Sequence, residues 1–203
     1  MEDKMETALK TGGKFGGRFR LECLRPYDQA EARRIRQRYG SQSPEYKALP
    51  RFKVWTEDVH NLVTNQGLDS ILNVYLDAAT QITTWYCVIF ESNSTPAAGW
   101  TYATPTYTEL QTYDEATRPE YEEAASSSQS VTNSANKAVF TISATKTLYG
   151  AALVGGGSAA TTKADTAGGG TLLCAAKFAS SRSVVDNDVC NLTYTFSAAD
   201  DGA

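Results

Sequence analysis

Residue types that carry acid–base or nucleophilic chemistry are sparse in this sequence, and their spacing builds no familiar catalytic constellation. His60 is the single histidine among 203 residues, so any Ser-His-Asp or Cys-His relay must run through it. It stands beside Asp58 and Asn61 in a stretch that reads as loop, and no serine occupies the Gly-x-Ser-x-Gly context of a nucleophile elbow. Asp114, Glu115, Glu120, Glu122 and Glu123 gather in one segment. Two such carboxylates held across a cleft are what glycoside hydrolysis requires, but nothing fixes two of these, and a solvated acidic loop is the simpler reading. The cysteines, Cys23, Cys87, Cys174 and Cys190, include no Cys-x-x-Cys pair, which argues against a zinc knuckle or thioredoxin-like site and for small buried apolar residues. Cys174 and Cys190 both lie in strand-like runs and are candidate neighbours, with no disulfide inferred. The glycine clusters at 155–157 and 168–170 give neither the Walker pattern nor a following helix, so they are flexible tips and not phosphate loops. Asp165, Asp186, Asp188, Asp200 and Asp201 lack EF-hand spacing. The expectation is a non-enzymatic protein with no cofactor and no metal.

The elements that remain are mostly strands. Cys190, Leu192, Tyr194 and Phe196 alternate with Asn191, Thr193 and Thr195, the period-two signature of a strand with one buried face. Residues 138–144 repeat the pattern, with Ala138, Phe140 and Ile142 opposite Val139, Thr141 and Ser143. Trp85–Phe90 is a continuous apolar run, expected of a strand buried on both faces at the centre of the core. Arg51–Trp55 alternates as well. Residues 91–136, rich in Thr, Ser, Tyr and Pro, predict surface loops with short edge strands, and Asp186-Asn187-Asp188 predicts a turn into the last strand. Leu68, Ile71, Leu72, Tyr75 and Leu76 form the apolar stripe of an amphipathic helix with Asn65 as its N-cap, expected to pack on the sheet. At 41% hydrophobic content the chain suits one sizeable core plus an appendage. The fold class is mainly β, a β-sandwich or jelly-roll-like body with one or two short helices and an extended N-terminal arm.

Charge divides the same way. Net charge is −4, yet residues 1–60 hold 13 lysines and arginines against 9 acids, whereas the remainder holds 6 against 14. Residues 1–50 are therefore expected as a basic, partly flexible arm, and 51–203 as the β-rich body. Gly12-Gly13 and Gly16-Gly17, with Lys10, Lys14, Arg18 and Arg20, suit a tail unable to fold alone, though Arg18–Leu24 has some β character. Asp28-Gln29-Ala30-Glu31 is a capping box leading into a short helix that ends at Gly40. Arg33, Arg34, Arg36 and Arg38 cover most of its circumference, and with only Ile35 and Tyr39 as an apolar pair it is expected to order against an acidic partner. No nucleic-acid module or stacking platform accompanies these arginines, so no specific nucleic-acid recognition is expected. No apolar run reaches the roughly 20 residues of a membrane span, and the start lacks the order of a secretory signal, so a cytosolic site of synthesis is expected.

From about residue 52 onward a set of short motifs carries a resemblance. They are Asn61-Leu62-Val63-Thr64-Asn65 with Gly67-Leu68, Thr80-Gln81 with Trp85-Tyr86, and Tyr113 with Glu115-Ala116-Thr117-Arg118. Ser130-Val131 with Asn133, Phe140-Thr141-Ile142, Gly150-Ala151, Arg182-Ser183-Val184 and Tyr194-Thr195-Phe196 continue it. On these the chain resembles small virion structural proteins of tailed bacteriophages, of the head decoration or cement type, over about three quarters of its length. The stretch Arg25–Arg51 is longer than that pattern and stands apart from it.

The resemblance implies a capsid cement protein on the virion surface that bridges neighbouring major capsid subunits, as a homotrimer. Arg33, Arg34, Arg36 and Arg38 are the candidate capsid contacts, with Trp55 and Trp100 as candidate apolar anchors that read equally well as core residues. The alternative is a tail or fibre protein that binds a host-surface glycan through Trp100, Tyr102, Tyr107, Tyr113 and Tyr121.

Overall fold

The computed structural model describes residues 14–199. Two antiparallel sheets face each other as a β-sandwich-like body. One sheet has the order β2-β1-β9-β5, with β6 also pairing β9; the other has the order β3-β8-β7-β4. The first comprises β1 (Lys14–Pro26), β2 (Arg51–His60), β5 (Ser130–Thr132), β6 (Ala138–Thr141) and β9 (Val189–Ala199). The second comprises β3 (Leu62–Val63), β4 (Trp85–Phe90), β7 (Lys146–Gly155) and β8 (Thr171–Val184). Three helices, α1 (Gln29–Tyr39), α2 (Pro44–Lys47) and α3 (Asn65–Leu76), lie outside the sheets.

The alternation read in the sequence builds the core. Cys190, Leu192 and Tyr194 of β9 and Phe140 of β6 point inward with Phe19, Leu21 and Cys23 of β1, against Leu148, Leu153 and Cys174 of the opposite sheet. Val139, on the other face of β6, is exposed. Phe19 stacks on Tyr194 with ring centroids 4.4 Å apart.

The boundary expected at residue 50 moves. Residues 14–26 are the second strand of the five-stranded sheet, hydrogen-bonded to β2 on one side and β9 on the other. Period-two alternation of Phe19, Leu21 and Cys23 with Arg18, Arg20 and Glu22 places a fully buried row on one side and charge on the other. Gly17 reads as tail composition but serves packing: a Cβ there would lie 2.7 Å from the Tyr194 hydroxyl and 2.3 Å from the Thr195 carbonyl oxygen. The expected tail residues Lys10 and Gly12-Gly13 lie outside the described residues.

The Trp85–Phe90 run is buried on both faces for a specific reason. Cys87 and Ile89 face the inter-sheet core, whereas Val88 belongs to a second cluster on the outer face of the same sheet with Ala152, Val154 and Leu172, roofed by Trp100 and Tyr102. β4 stands at the edge of its sheet, yet Cys87, Val88, Ile89 and Phe90 are fully buried. Residues 108–121 run along that edge and supply the missing partners: Leu110 N–H donates to Ile89 O at 2.9 Å, Cys87 N–H to Pro119 O and Tyr121 N–H to Trp85 O, both at 2.8 Å. Covering an edge in this way removes a template for unwanted pairing.

α3 departs from its expected packing. Its N-cap is Thr64, one residue earlier than expected, and the Thr64 hydroxyl accepts from Gly67 N–H at 3.0 Å. Gly67 is the only fully buried residue of the helix; a Cβ there would stand 2.2 Å from the Leu173 carbonyl oxygen. The helix thus meets β8 through backbone contact at its first turn. Ile71 reaches the main core, while Leu72, Tyr75 and Leu76 are 48%, 84% and 82% exposed.

Candidate functional site

The arginine helix docks on its own body. Asp28 caps α1, its carboxylate accepting from Ala30 and Glu31 N–H at 2.9 Å, and Gly40 closes it with φ 85°. Arg36 donates to Asp186 at 2.6 Å and also pairs with Asp114, while Arg33 donates to Asp186 at 3.2 Å. The acidic face expected of a partner is therefore partly supplied by the 186–188 turn and residue 114. Arg34 pairs with Glu31 of its own helix and remains 72% exposed. Arg38 lies over the Tyr39 ring, 5.1 Å from its centroid, and is exposed. Of the four arginines, Arg36 is held inward and Arg33, Arg34 and Arg38 present charge to solvent.

The 185–188 turn is the fastening point beneath α1. Asp188, wholly buried, accepts both Arg25 guanidinium bonds at 2.8 Å and the Val185 N–H at 2.9 Å. Asn187, with φ 69°, donates its N–H to Ile142 O and accepts from the Tyr46 hydroxyl at 3.3 Å. These contacts account for the turn predicted at Asp186-Asn187-Asp188 and show that its acids hold the fold together.

The expected apolar anchors are not free. Trp55 is half-buried, packs against the main core and donates its indole N–H to Ser183 O at 3.0 Å. Trp100 is 8% exposed and sits in the outer cluster. The aromatic platform proposed for glycan stacking also faces inward: Tyr102, Tyr113 and Tyr121 are buried, and Tyr107 stacks on Phe90 at 5.0 Å. A sheet buried on both faces needs a cover, and these rings provide it.

The acidic segment assembles no hydrolytic pair. Asp114 is bound to Arg36, and Glu115 accepts from Thr141 N–H at 3.0 Å and Gln42 at 3.1 Å. The one deeply buried carboxylate of this region is Glu109, gripped by Arg118 through Nε and Nη2. Arg118 also donates to Ala160 O, Asp165 O and the Tyr102 hydroxyl, so every N–H of the guanidinium is engaged. Burial opposes its charge, but Glu109 outweighs that cost and raises its pKa. The Tyr102 hydroxyl donates to Asp165 at 2.7 Å and holds that carboxyl below its ordinary range. This network fastens the 157–170 loop, expected as a flexible tip, to the 108–118 segment.

His60 is exposed at the end of β2, paired in register with Arg18. Cys174 and Cys190 occupy different sheets; the register partner of Cys190 is Cys23. All four cysteines are free and buried, and burial pushes the Cys174 thiol up to about 12. Among the described residues, no group of three His, Cys, Asp or Glu side chains is placed to hold a metal ion, and no helix is long and apolar enough to cross a membrane.

What the surface offers is α3. Leu72, Tyr75 and Leu76 project from it, and Ile71 on its flank lines a cavity of about 420 Å³ at the open end of the sandwich with Trp85, Val131 and Phe196. Phe15 stacks on Phe196 at 6.2 Å and is 44% exposed. Sequence reasoning found this stripe but assigned it to the interior; Gly67 was the signal that the contact lies elsewhere on the helix. Comparison with known protein families finds no matching model, and a search of curated proteins finds no match.

Proposed function

We propose that this protein is a structural component of a tailed-bacteriophage particle, a cement or decoration protein that binds the outer capsid shell and bridges neighbouring major capsid subunits. The observation that carries the reading is the apolar row of Leu72, Tyr75 and Leu76, presented on a helix whose own fold does not cover it. Large exposed apolar side chains grouped on one element mark protein contact surfaces. The resemblance of its short motifs to those of virion structural proteins supports the particle assignment, and Arg33, Arg34 and Arg38 supply outward charge for acidic capsid faces. A homotrimer seated at a junction between capsomers is the assembly proposed. Its action is mechanical: apolar burial under α3 and ion pairs from α1 hold adjacent subunits against internal pressure.

Because β1 belongs to the sheet, the test uses the full chain. Immunogold labelling of purified phage particles places the protein over the head if the reading is right; label confined to the tail, or none, overturns it. Full-length Tyr75→Ser/Leu76→Ser protein is expected to keep its fold and lose co-sedimentation with capsids stripped of the wild-type protein. Retained co-sedimentation removes α3 as the contact.

A further inference from the structure

The flank of α3 opposite the apolar cavity borders a groove of about 730 Å³ lined by both polar and apolar groups, within the usual size range of small-ligand sites. One wall is a row of Asn65, Asp69 and Asn73, spaced i, i+4 and i+8 on the helix. All three are exposed, and none of their side chains hydrogen-bonds within the described residues. The facing wall is the Gly99-Trp100-Thr101 loop, and Gly156, Gly157 and Gly169 close the end. No Cβ narrows the groove at Gly99 or Gly169, where an added methyl would meet nothing within 4 Å.

The groove is built on rigid supports. Gln66, also lining it, accepts the Tyr102 and Leu172 N–H groups at 2.9 Å and donates to Gly170 O at 3.2 Å. Asn65 N–H donates to Ala98 O at 2.9 Å, tying the start of the helix to the opposite wall. These bonds fix the distance between the walls whether or not the groove is filled.

Its chemistry selects a ligand class. No lysine, arginine or histidine lines it, and Asp69 is its one charged group, so phosphates, sulfated sugars and sialic acids meet no counter-charge. The amides of Asn65 and Asn73, the Asp69 carboxylate and the hydroxyls of Ser70 and Thr80 present both donors and acceptors along the groove. Adjacent hydroxyls on a pyranose ring match this arrangement, each serving as donor to Asp69 and acceptor from an amide. Trp100, 8% exposed, gives an apolar edge and not an open stacking face. We infer that this groove binds a neutral saccharide, with Asp69 and Asn73 as the principal hydrogen-bonding residues. The inference goes beyond the capsid reading and does not depend on it: immunogold location tests one, ligand titration the other.

The experiment is an NMR titration of the full chain with maltotriose, chitotriose and lactose, with 3′-sialyllactose as the charged comparison. At least one neutral sugar is expected to give saturable shifts on the Asn65 and Asn73 amides and the Trp100 indole. Asp69→Ala and Asn73→Ala are each expected to weaken that binding about tenfold, the usual scale for losing a hydrogen-bonding partner of a polar ligand. Both variants should retain wild-type thermal stability, since both side chains are exposed. The inference is overturned if no neutral sugar gives saturable shifts up to about 20 mM, a ceiling corresponding to only a few kcal/mol of binding. It is equally overturned if the shifts map away from the groove, if both variants bind as wild type, or if sialyllactose binds as well as lactose.

Discussion

Arg118 Nη2 lies 2.7 Å from Glu109 Oε2, and the two side chains are 2% and 3% exposed. The pair also carries the bonds to Ala160 O and Asp165 O that hold the long β7–β8 connection against the cover of the outer sheet. Removing one partner strands the other charge in the interior. Arg118→Met is therefore expected to destabilise the protein by about 3–5 kcal/mol, read as a lower urea midpoint. The double variant Arg118→Met/Glu109→Leu should cost less than the two single changes together. Strict additivity would show the pair to be uncoupled.

At Gly67 the helix scale and the packing make opposite forecasts. Alanine in a helix is favoured over glycine by about 1 kcal/mol, yet a Cβ here would meet the Leu173 carbonyl at 2.2 Å. Gly67→Ala should destabilise by about 1–3 kcal/mol, because overpacking moves backbone and not a flexible side chain. A stabilised variant in thermal unfolding would mean that α3 is free to lift from β8.

The arginines of α1 should separate sharply. Arg36→Ala removes contacts to Asp114 and Asp186 from partly buried positions and is expected to cost about 1–3 kcal/mol. Arg38→Ala removes an exposed charge beside Tyr39 and should stay within about 0.5 kcal/mol of wild type. Chemical denaturation of both variants decides the matter, and equal effects would contradict the docking geometry.

Alkaline pH should unfold the protein through its buried acids. The Cys174 thiol rises from an ordinary 9.0 to about 12 through burial, and burial also raises Tyr113, Tyr121 and Tyr194. Above about pH 9 the unfolded chain releases protons that the native state retains, so stability is fully present below that pH and falls as pH climbs toward 12. Urea midpoints at pH 7 and about pH 10 should show the decline, and Cys174→Ala should reduce its slope. The native thiols should also resist a thiol reagent until the chain unfolds.

Much of this fold was legible because period-two alternation survives wherever one face is buried, as in β9 and β6, and because the caps of α1 follow from Asp28 and Gly40. The misread elements have local causes. β1 carries two glycines and a charged outer row, so its composition resembles a tail while Phe19, Leu21 and Cys23 already alternate. Gly17 is explained only by the Tyr194 ring, which no local window contains. The aromatic residues between 100 and 121 look like a recognition platform, yet a strand apolar on both faces implies a second covering layer, and these rings are that layer. The docking of Arg36 on Asp114 and Asp186 joins positions 78 and 150 residues apart, beyond the reach of spacing arguments. The polar row of α3 was likewise hidden, because Asn65 reads locally as an N-cap and Asp69 and Asn73 only as polar positions beside the apolar stripe.

The pairing of β1 with β9 couples Lys14 to Ala199 and Leu24 to Val189 along eleven register positions. During synthesis β1 emerges early, yet one of its neighbours is made only when residue 199 leaves the ribosome. The five-stranded sheet therefore closes only after β9 has been made, and contacts of such sequence separation fold slowly. Until then the inner row of Phe19, Leu21 and Cys23 stands uncovered beside β2. Chaperone dependence during expression, and aggregation of chains truncated before β9, are the cellular signature of a sheet that ties its beginning to its end.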